Sequence, residues 1–262
     1  STNSITQGSQ VSLFWPHIFN LGVDISFAYN SFKWNNNAKG NAGVSVVIIG
    51  LKNCKNNFKK CIYSSNNYRL VKNISPYLKD GSNNVIYSRT STLMQTTSQV
   101  VYGNQAIDGG FLTLSNDEKI SLLIAHPEAK KYIRRLYGGN SLLNGHFQFC
   151  IWVKESEYDQ AQKINELRKR FEKVRKFREK KGQVARSLID IPYRFRYVHE
   201  PKNTTILIPS TSSDSRDYLP IEMVNGKVQT LHSVQVIYDP ELYVFGILSS
   251  KIHFNWVKLV AG

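Results

Sequence analysis

VDISFAY, residues 23–29, and VSVVIIG, residues 44–50, decide the fold of the N-terminal part of this 262-residue chain. The first stretch alternates in part and the second is almost continuously apolar, so both are predicted to be inner strands of a sheet. VSLFWPHIF, residues 11–19, precedes them with apolar residues at helical spacing, and Gly22 follows as a stop signal. The sequence therefore predicts a helix and two strands joined by residues 30–43, a connection long enough to be functional.

The clearest element farther along the chain is a predicted helix at residues 155–181. Ile164, Leu167, Phe171 and Val174 repeat at three- and four-residue steps and form one apolar stripe. Residues 163–181 hold ten Lys or Arg against three Glu, a net charge of +7. This helix therefore carries nearly half of the excess charge of the chain.

Weaker local signals predict the secondary structure of the rest of the chain. Residues 52–106 predict loops and edge strands, and Ser115 with Glu118 three residues later forms a capping-box pattern at a helix start. Further elements are predicted as a helix opened by Pro127 that runs through Arg134, a strand of alternating aromatic and basic residues at 193–197, a strand at 206–209, a polar turn at 210–217 and a helical pattern at 240–260.

The amino-acid composition limits the classes of function that the chain can have. The chain has 34 Lys and Arg against 19 Asp and Glu, a formal net charge of +15, and 41% hydrophobic residues, so a folded protein with a polyanionic partner is expected. Three cysteines match no zinc motif and are too few for a disulfide scaffold. With no apolar run of about 18 residues and no signal peptide, we expect a cytoplasmic protein. Because the chain opens on Ser1, we expect it to be a fragment of something longer.

Basic residues interleaved with aromatic ones are the strongest functional signal, since Lys and Arg neutralise phosphates and planar rings stack on bases. Two simpler interpretations stay open. In the first, the basic helix presents a solvated face only. In the second, residues 193–197 form an edge strand with its rings in the core and its arginines in water. The signal therefore predicts nucleic-acid binding, either sequence-specific or sequence-independent.

A metal-dependent nuclease is a further alternative. Asp108 and the stretch Asp117, Glu118, Lys119 superficially match an acidic metal-binding pattern. The capping box explains Glu118 locally, and Asp108 precedes two glycines as a turn residue would. The six histidines show no paired spacing, and the sequence holds no G-x-G-x-x-G loop after a strand. A self-contained nucleotide-binding enzyme is therefore disfavoured.

Several spaced stretches resemble one family, the MmeI-like restriction–modification enzymes. The resemblance covers almost the whole chain and is carried by STNSITQG (1–8), FAYNSFKWNNNAKGNAGV (27–44), VIIG (47–50), GNQAIDGG (103–110), LYG (136–138), CIW (150–152), VRKFR (174–178), IPSTSSDSRDYLPI (208–221) and FGILSSKIHFNW (245–256).

The resemblance implies an α+β fold in which the remnant of a methyltransferase sheet, a helix plus a β-hairpin, joins a mixed α/β target recognition domain with a long basic helix. Residues 1–52 would be the C-terminal piece of a class I methyltransferase domain, residues 53–238 the DNA target recognition domain and residues 239–262 the start of a helical segment. The parent enzyme would be a site-specific DNA adenine-N6 methyltransferase that uses S-adenosyl-L-methionine. Its donor-binding and catalytic motifs are not in this sequence, so the fragment is expected to bind no cofactor or metal and to be inactive alone. Its partners would be double-stranded DNA and the rest of the parent chain, without a membrane.

The predicted DNA-binding residues fall into four groups. By resemblance, the hairpin loop lies beside the pocket for a flipped adenine; the alternative is that Phe32 and Trp34 anchor the hairpin as core residues. The polar turn suits the major groove, where arginine pairs with guanine; the alternative is that Arg216 forms a salt bridge to a neighbouring aspartate. The full set is Phe32, Lys33, Trp34 and Lys39 in the hairpin loop, Arg175 and Arg178 on the basic helix, Arg194 and Arg196 in the aromatic-basic stretch, and Ser212, Ser213, Asp214 and Arg216 in the polar turn.

Overall fold

The computed structural model describes residues 1–34, 43–55, 58–91, 98–213 and 215–261. The chain divides into two compact units, which we call the first unit (residues 1–94 with 255–262) and the second unit (residues 95–254). The elements of residues 1–94 are, in chain order, a 3-10 helix at Asn3–Thr6, α1 (Gly8–Asn20), β1 (Val23–Trp34), β2 (Val44–Asn53), β3 (Lys60–Ser64) and β4 (Asn67–Val71).

The first unit contains one four-stranded sheet, in the order β2-β1-β3-β4. β1 pairs antiparallel with β2 and parallel with β3, and β3 and β4 form an antiparallel pair. The predicted helix and strand pair are thus confirmed, but the prediction that β2 is an inner strand is wrong. β2 lies at the edge of the four-stranded sheet among the described residues and its Ile48 is 45% exposed, although Ser1 exchanges backbone hydrogen bonds with Val47 on the outer side of β2.

Helix α1 covers one face of this sheet because its apolar residues share one side. Val11 and Trp15 pack on Ile25, Ala28 and Val47, all of them buried. Burial of large apolar side chains contributes about 1.5–3 kcal/mol each. Gly22, at a φ of +69°, follows the helix in the left-handed conformation that glycine tolerates best, which confirms its predicted role as a stop signal.

The second unit contains two further four-stranded sheets, β10-β9-β12-β5 and β11-β7-β8-β6. The strands are β5 (Val101–Tyr102), β6 (Thr113–Leu114), β7 (Ile133–Tyr137), β8 (Gln148–Ile151), β9 (Thr204–Pro209), β10 (Glu222–Asn225), β11 (Gln229–Thr230) and β12 (Val234–Tyr238). The helices are α2 (Asn116–Ala125), α3 (Gly139–Asn144), α4 (Tyr158–Gln162), α5 (Asn165–Glu179), α6 (Gln183–Arg186) and α7 (Leu242–Ser249), with 3-10 helices at Pro127–Tyr132 and Glu155–Glu157. A last helix, α8 (Lys251–Val260), closes the described chain.

The core of the second unit forms where α5 meets the β7–β8 sheet. Leu167, Phe171 and Val174, the predicted apolar stripe, are buried in one cluster with Trp152 and Phe195. The capping box of α2 is also confirmed, because Ser115 Oγ accepts the Glu118 N–H at 3.1 Å and Glu118 Oε2 accepts the Ser115 N–H at 2.9 Å. The predicted α+β class is confirmed.

Three predictions of regular structure are corrected. The helix that Pro127 opens is a short 3-10 helix followed by β7, and Arg134 lies in that strand. The long basic helix is interrupted at Ile164, whose backbone is extended, so α4 and α5 are separate. The pattern at 240–260 forms two helices that meet at Ser250, which also has an extended backbone.

Residues 193–197 are not a strand, because their backbone groups bond to a loop and to a buried side chain rather than to a neighbouring strand. Within the described ranges, no helix combines the length and the apolar character that crossing a bilayer requires.

Candidate nucleic-acid interface

Helix α5 separates its charge from its core face. Leu167, Phe171, Val174 and Arg178 lie on the buried side. At about 100° per residue, residues 169, 172, 173, 176 and 180 lie on the opposite side. Residue 172 is a glutamate, and the other four are exposed lysines, which we call the lysine row: Lys169, Lys173, Lys176 and Lys180.

The two predicted arginines of α5 have different surroundings. Arg175 is exposed on the flank of the helix, near the side chain of Tyr158. Burial raises the pKa of Tyr158, and Arg175 opposes that shift. Arg178 has no exposed surface, and the prediction that it contacts DNA is wrong for this structure. The apolar stripe is the sequence signal that distinguishes Arg178 from Arg175, because residue 178 continues the spacing of 167, 171 and 174 and residue 175 does not.

The stretch around Arg194 and Arg196 follows its predicted alternation without being a strand. Tyr193 and Phe195 are buried at 3% and 0% exposure, while Arg194 and Arg196 are half-buried. Tyr193 stacks on Tyr158 with ring centroids 4.1 Å apart, and Phe195 meets Trp152 edge to face at 5.7 Å. The interpretation that placed the rings in the core is therefore right, whereas its strand geometry is wrong.

Arg194 borders a small cleft of about 170 Å³ that also carries acidic groups. Lys154 lines this cleft and pairs with Glu200 at 3.2 Å, and Arg134 approaches Glu200 at 4.0 Å. Arg134 also lies over the ring of Trp152, 5.7 Å from its centroid, and burial lowers the pKa of Arg134. Arg134 and Lys154 are basic neighbours of Arg194 that sequence reasoning missed, since they come from β7 and the segment after β8.

The polar turn presents its serines outward. Ser212 and Ser213 are exposed, and Ser213 Oγ accepts the Ser215 N–H at 3.3 Å, which is the local bonding expected of a serine-rich turn. Asp217 approaches Lys251 at 3.9 Å. Arg216 is exposed, and Asp214 lies outside the described residues.

In the first unit, the predicted hairpin residues lie at the end of β1. Phe32, Lys33 and Trp34 are exposed, and the rings of Phe32 and Trp34 have centroids 6.5 Å apart. Trp34 is 58% exposed, so the interpretation of this ring as a core anchor is wrong for this chain. Lys39 lies outside the described residues.

A ladder of aromatic side chains on the same sheet was missed by sequence reasoning. Tyr29 of β1 and Tyr63 of β3 stack with centroids 4.5 Å apart, and Phe27 and Tyr68 flank them. Parallel pairing of Tyr29 with Tyr63 places the rings side by side. No local pattern could have found this ladder, because it depends on a strand pairing across 34 residues.

The residues proposed for a metal-dependent nuclease serve other roles. Asp108 is buried and its Oδ2 accepts the Leu112 N–H at 2.7 Å. Glu118 caps α2 and pairs with Arg170 at 3.3 Å, and these contacts lower the pKa of Glu118, chiefly through the backbone bond at Ser115. In the part of the chain that the structure describes, no group of three or more His, Cys, Asp or Glu side chains could hold a metal ion.

A larger cleft of about 410 Å³ lies between α2 and α5. Asp117, Glu118 and Glu166 line it together with Arg170. Three carboxylates at its border make this cleft unsuitable for a polyanion, since like charges repel. The lysine row and the arginines at 194 and 196 remain the surfaces suited to phosphate.

Comparisons with known proteins find relatives for both parts of the chain. The family model described as "MmeI, target recognition domain" matches residues 80–262, and the model described as "MmeI, DNA-methyltransferase domain" matches residues 1–64. DNA methyltransferase A of Bacillus subtilis (strain 168) is 38% identical over 263 residues, which cover 100% of this chain and 30% of that protein. Among solved structures, the type IIL restriction-modification enzyme MmeI in complex with DNA is 34% identical, with a TM-score of 0.84 over 100% of this chain and 36% of that chain. The chain thus spans about a third of the length of these relatives.

Proposed function

This chain belongs to the family of MmeI target recognition domains, and from that premise we propose that it recognises a DNA sequence on behalf of a longer restriction–modification methyltransferase. The lysine row carries the proposal. These four lysines lie on the side of α5 opposite the core stripe, where they are exposed and present a line of positive charge.

The dimensions of the lysine row suit a DNA backbone. Lys180 directly follows the last residue of α5, and the eleven steps from Lys169 to Lys180 at the helical rise give a length of about 16 Å. A strand of B-DNA carries roughly one phosphate per 3.4 Å of axis, so this length spans about five phosphates. Contacts of this kind position a protein on the duplex without reading its sequence.

Sequence reading is assigned to shorter side chains and arginines outside the helix. We propose that Arg194, Arg196 and Arg216 contact base edges or phosphates, and that Ser212, Ser213 and Asp214 form polar contacts in the groove. Arg175, on the flank of α5, would contact phosphate. A substitution that relaxes recognition at one base pair would identify a reading residue, whereas uniform weakening would identify a phosphate contact.

The first unit supports a role beside a methyltransferase site. We propose that the exposed rings of Phe32 or Trp34 approach a flipped adenine and that Lys33 and Lys39 contact phosphate. In the complete parent enzyme, Phe32→Ala and Lys33→Ala should each reduce the rate of adenine methylation. Unchanged rates together with unchanged DNA affinity would refute this assignment.

We propose that S-adenosyl-L-methionine serves the parent enzyme and binds outside this chain. A donor-binding loop of the methyltransferase type would join a strand to the start of a helix. Among the described residues 1–94, both helical segments precede β1 and no strand leads directly into a helix. The described residues of 1–94 therefore offer no such loop, and DNA recognition is the activity to test in this chain.

The test replaces the lysine row by glutamine at all four positions and measures binding to a labelled duplex pool of randomised sequence over a range of salt. Counterion release predicts that the slope of log affinity against log salt falls by about 0.9 per lost contact. The matched control replaces Lys55, Lys59, Lys72 and Lys79 of the first unit, which are also exposed and remove the same charge. Equal effects of the two variants would refute a specific role for the lysine row.

Selection of bound duplexes from the same pool tests sequence recognition. The wild-type chain should enrich one sequence over the others. A pool that stays random after repeated selection would identify a sequence-independent nucleic-acid-binding module instead.

A further inference from the structure

The buried guanidinium of Arg178 is the most highly connected side chain among the hydrogen bonds of the second unit that the structure describes. Arginine has five N–H donors, and here they bond to backbone carbonyls from three segments. Nε donates to Ile107 O at 2.8 Å, Nη1 to Leu188 O at 2.7 Å and Ile191 O at 2.9 Å, and Nη2 to Ala106 O at 3.2 Å and Arg194 O at 2.9 Å.

A buried cation at this position interrupts an otherwise apolar stripe. Residue 178 continues the stripe of α5, where a leucine or methionine would fill the space but would leave the five carbonyls without donors. Burial lowers the pKa of Arg178 to about 10, while the charge of Asp108 opposes the shift, so the side chain stays protonated at neutral pH. The position therefore carries a charge for a reason other than filling space.

Four of the five bonds join two irregular segments to α5, and the fifth goes to Leu188. One segment, residues 104–108, includes Ile107, whose φ of +45° is rare and strained for a β-branched residue. The other, residues 191–197, we call the clamped segment. Arg178 bonds to its first and fourth residues, and the strained carbonyl of Ile107 is one of the acceptors.

A second buried side chain holds the far end of the clamped segment. Asn104 is 1% exposed, its Nδ2 donates to Tyr197 O at 2.6 Å and its Oδ1 accepts the Tyr197 N–H at 2.9 Å. Between these points the Arg196 N–H donates to Gln105 O at 2.9 Å. The clamped segment is therefore tied at residues 191, 194, 196 and 197, and the buried rings of Tyr193 and Phe195 anchor it from below.

We propose that Arg178 and Asn104 are positioning residues that hold the backbone of the clamped segment, so that Arg194 and Arg196 meet DNA in a preorganised arrangement. This inference rests on the proposed function. A rigid backbone lowers the ordering entropy that each arginine loses on binding, which is how preorganisation raises affinity without new contacts.

The test is a double-mutant cycle on DNA affinity, with the same randomised duplex pool as probe. Arg178→Met is measured in the wild-type chain and in the Arg194→Ala/Arg196→Ala background. If Arg178 acts through the two arginines, its replacement weakens binding about tenfold in the wild-type chain and by less than about twofold in the double-alanine background. Asn104→Ala is measured in the same way and keeps the test decisive if Arg178→Met does not fold.

Leu167→Ala is the matched control, because Leu167 is a fully buried stripe residue of the same helix and its apolar side chain donates no hydrogen bond to the clamped segment. At a temperature where every variant is folded, Leu167→Ala should lower stability and leave DNA affinity within about twofold. A loss of affinity in this control equal to that of Arg178→Met would overturn the inference, since destabilisation alone would then explain it.

The remaining outcomes separate this inference from the proposed function. Equal weakening by Arg178→Met in both backgrounds would overturn the inference. Wild-type affinity in the double-alanine chain would also overturn it while leaving DNA recognition intact. Failure of the wild-type chain to bind any duplex would overturn the proposed function and the inference together.

Discussion

Helix α5 and the clamped segment carry similar sequences but keep their shapes by different means. Both alternate large apolar residues with basic ones, and both bury the apolar residues. In α5 the backbone bonds to itself, so the pattern of 3.6 residues per turn is enough to orient every side chain. In the clamped segment the backbone bonds to Arg178, Gln105 and Asn104, which are distant in sequence.

The two regions therefore differ in what places their basic side chains for binding to DNA. On α5 the exposed lysine row needs no support beyond the helix, and its charge can be removed at little structural cost. In the clamped segment, the placement of Arg194 and Arg196 depends on side chains that never reach the surface. Substitutions that remove local support and those that remove distant support should therefore differ in the stability they cost and in how far along the chain their effects extend.

Removal of the distant support at Arg178 should have the largest effect on stability. Arg178→Met leaves buried carbonyls without donors, and we expect a loss of about 4 kcal/mol in the free energy of unfolding. Leu167→Ala removes apolar contacts of α5 and should cost about 3 kcal/mol. Urea unfolding followed by circular dichroism measures both. A smaller loss of unfolding free energy for Arg178→Met than for Leu167→Ala would contradict the view that the clamped segment depends on this distant support.

Asn104→Ala should have an intermediate effect that is confined to one end of the clamped segment. The change removes the two bonds to Tyr197, and we expect a loss of about 2 kcal/mol. Hydrogen exchange should accelerate at the Tyr197 amide and leave the amides of α5 protected. Uniform acceleration across the second unit would show that Asn104 supports the whole unit instead.

Ser115→Ala tests local support in a helix of the same unit. Loss of the capping hydrogen bond to the Glu118 amide should cost about 1 kcal/mol, with faster exchange limited to the first turn of α2. Ser121→Ala, at an exposed position inside the same helix, is the control and should be neutral or slightly stabilising. Equal destabilisation by both changes would contradict the capping assignment.

Asp239, which bonds to backbone groups distant in sequence, should make the smallest of these contributions to the free energy of unfolding, and a pH titration measures it. Asp239 accepts the N–H groups of Lys202, Asn203 and Thr204, and these bonds, first of all that of Lys202, lower its pKa. Because the folded pKa lies below the unfolded value of about 3.9, this contribution is present above that pH and is lost as pH falls through the folded pKa.

Asp239→Asn is the matched control for this titration, since asparagine tolerates the positive φ of this position and does not titrate below neutrality. The difference in unfolding free energy between the wild type and this variant should shrink as pH falls below about 4. A difference that is constant with pH would rule out the carboxylate as the source.

Some of the candidate site could be predicted from sequence and some could not. The stripe of Leu167, Phe171 and Val174 predicted a helix with a basic outer face, because helical periodicity is a local property. The same periodicity places residue 178 on the buried side of the helix, but a DNA contact was predicted there because the residue is an arginine. The strand predicted at 193–197 was wrong because alternation of burial is shared by strands and by segments held from outside.

The sequence by itself determined the α+β class, the basic helix, the capping box and, through spaced motifs across the chain, the family. These depend on composition and on neighbours within a few residues. The tertiary structure alone decided that Arg178 faces inward, that β2 lies at an edge in the described residues and that Arg194 and Arg196 project from an irregular backbone. Each of these depends on partners that folding brings together from distant positions, such as Ala106 with Arg178, and no local pattern encodes such a pairing.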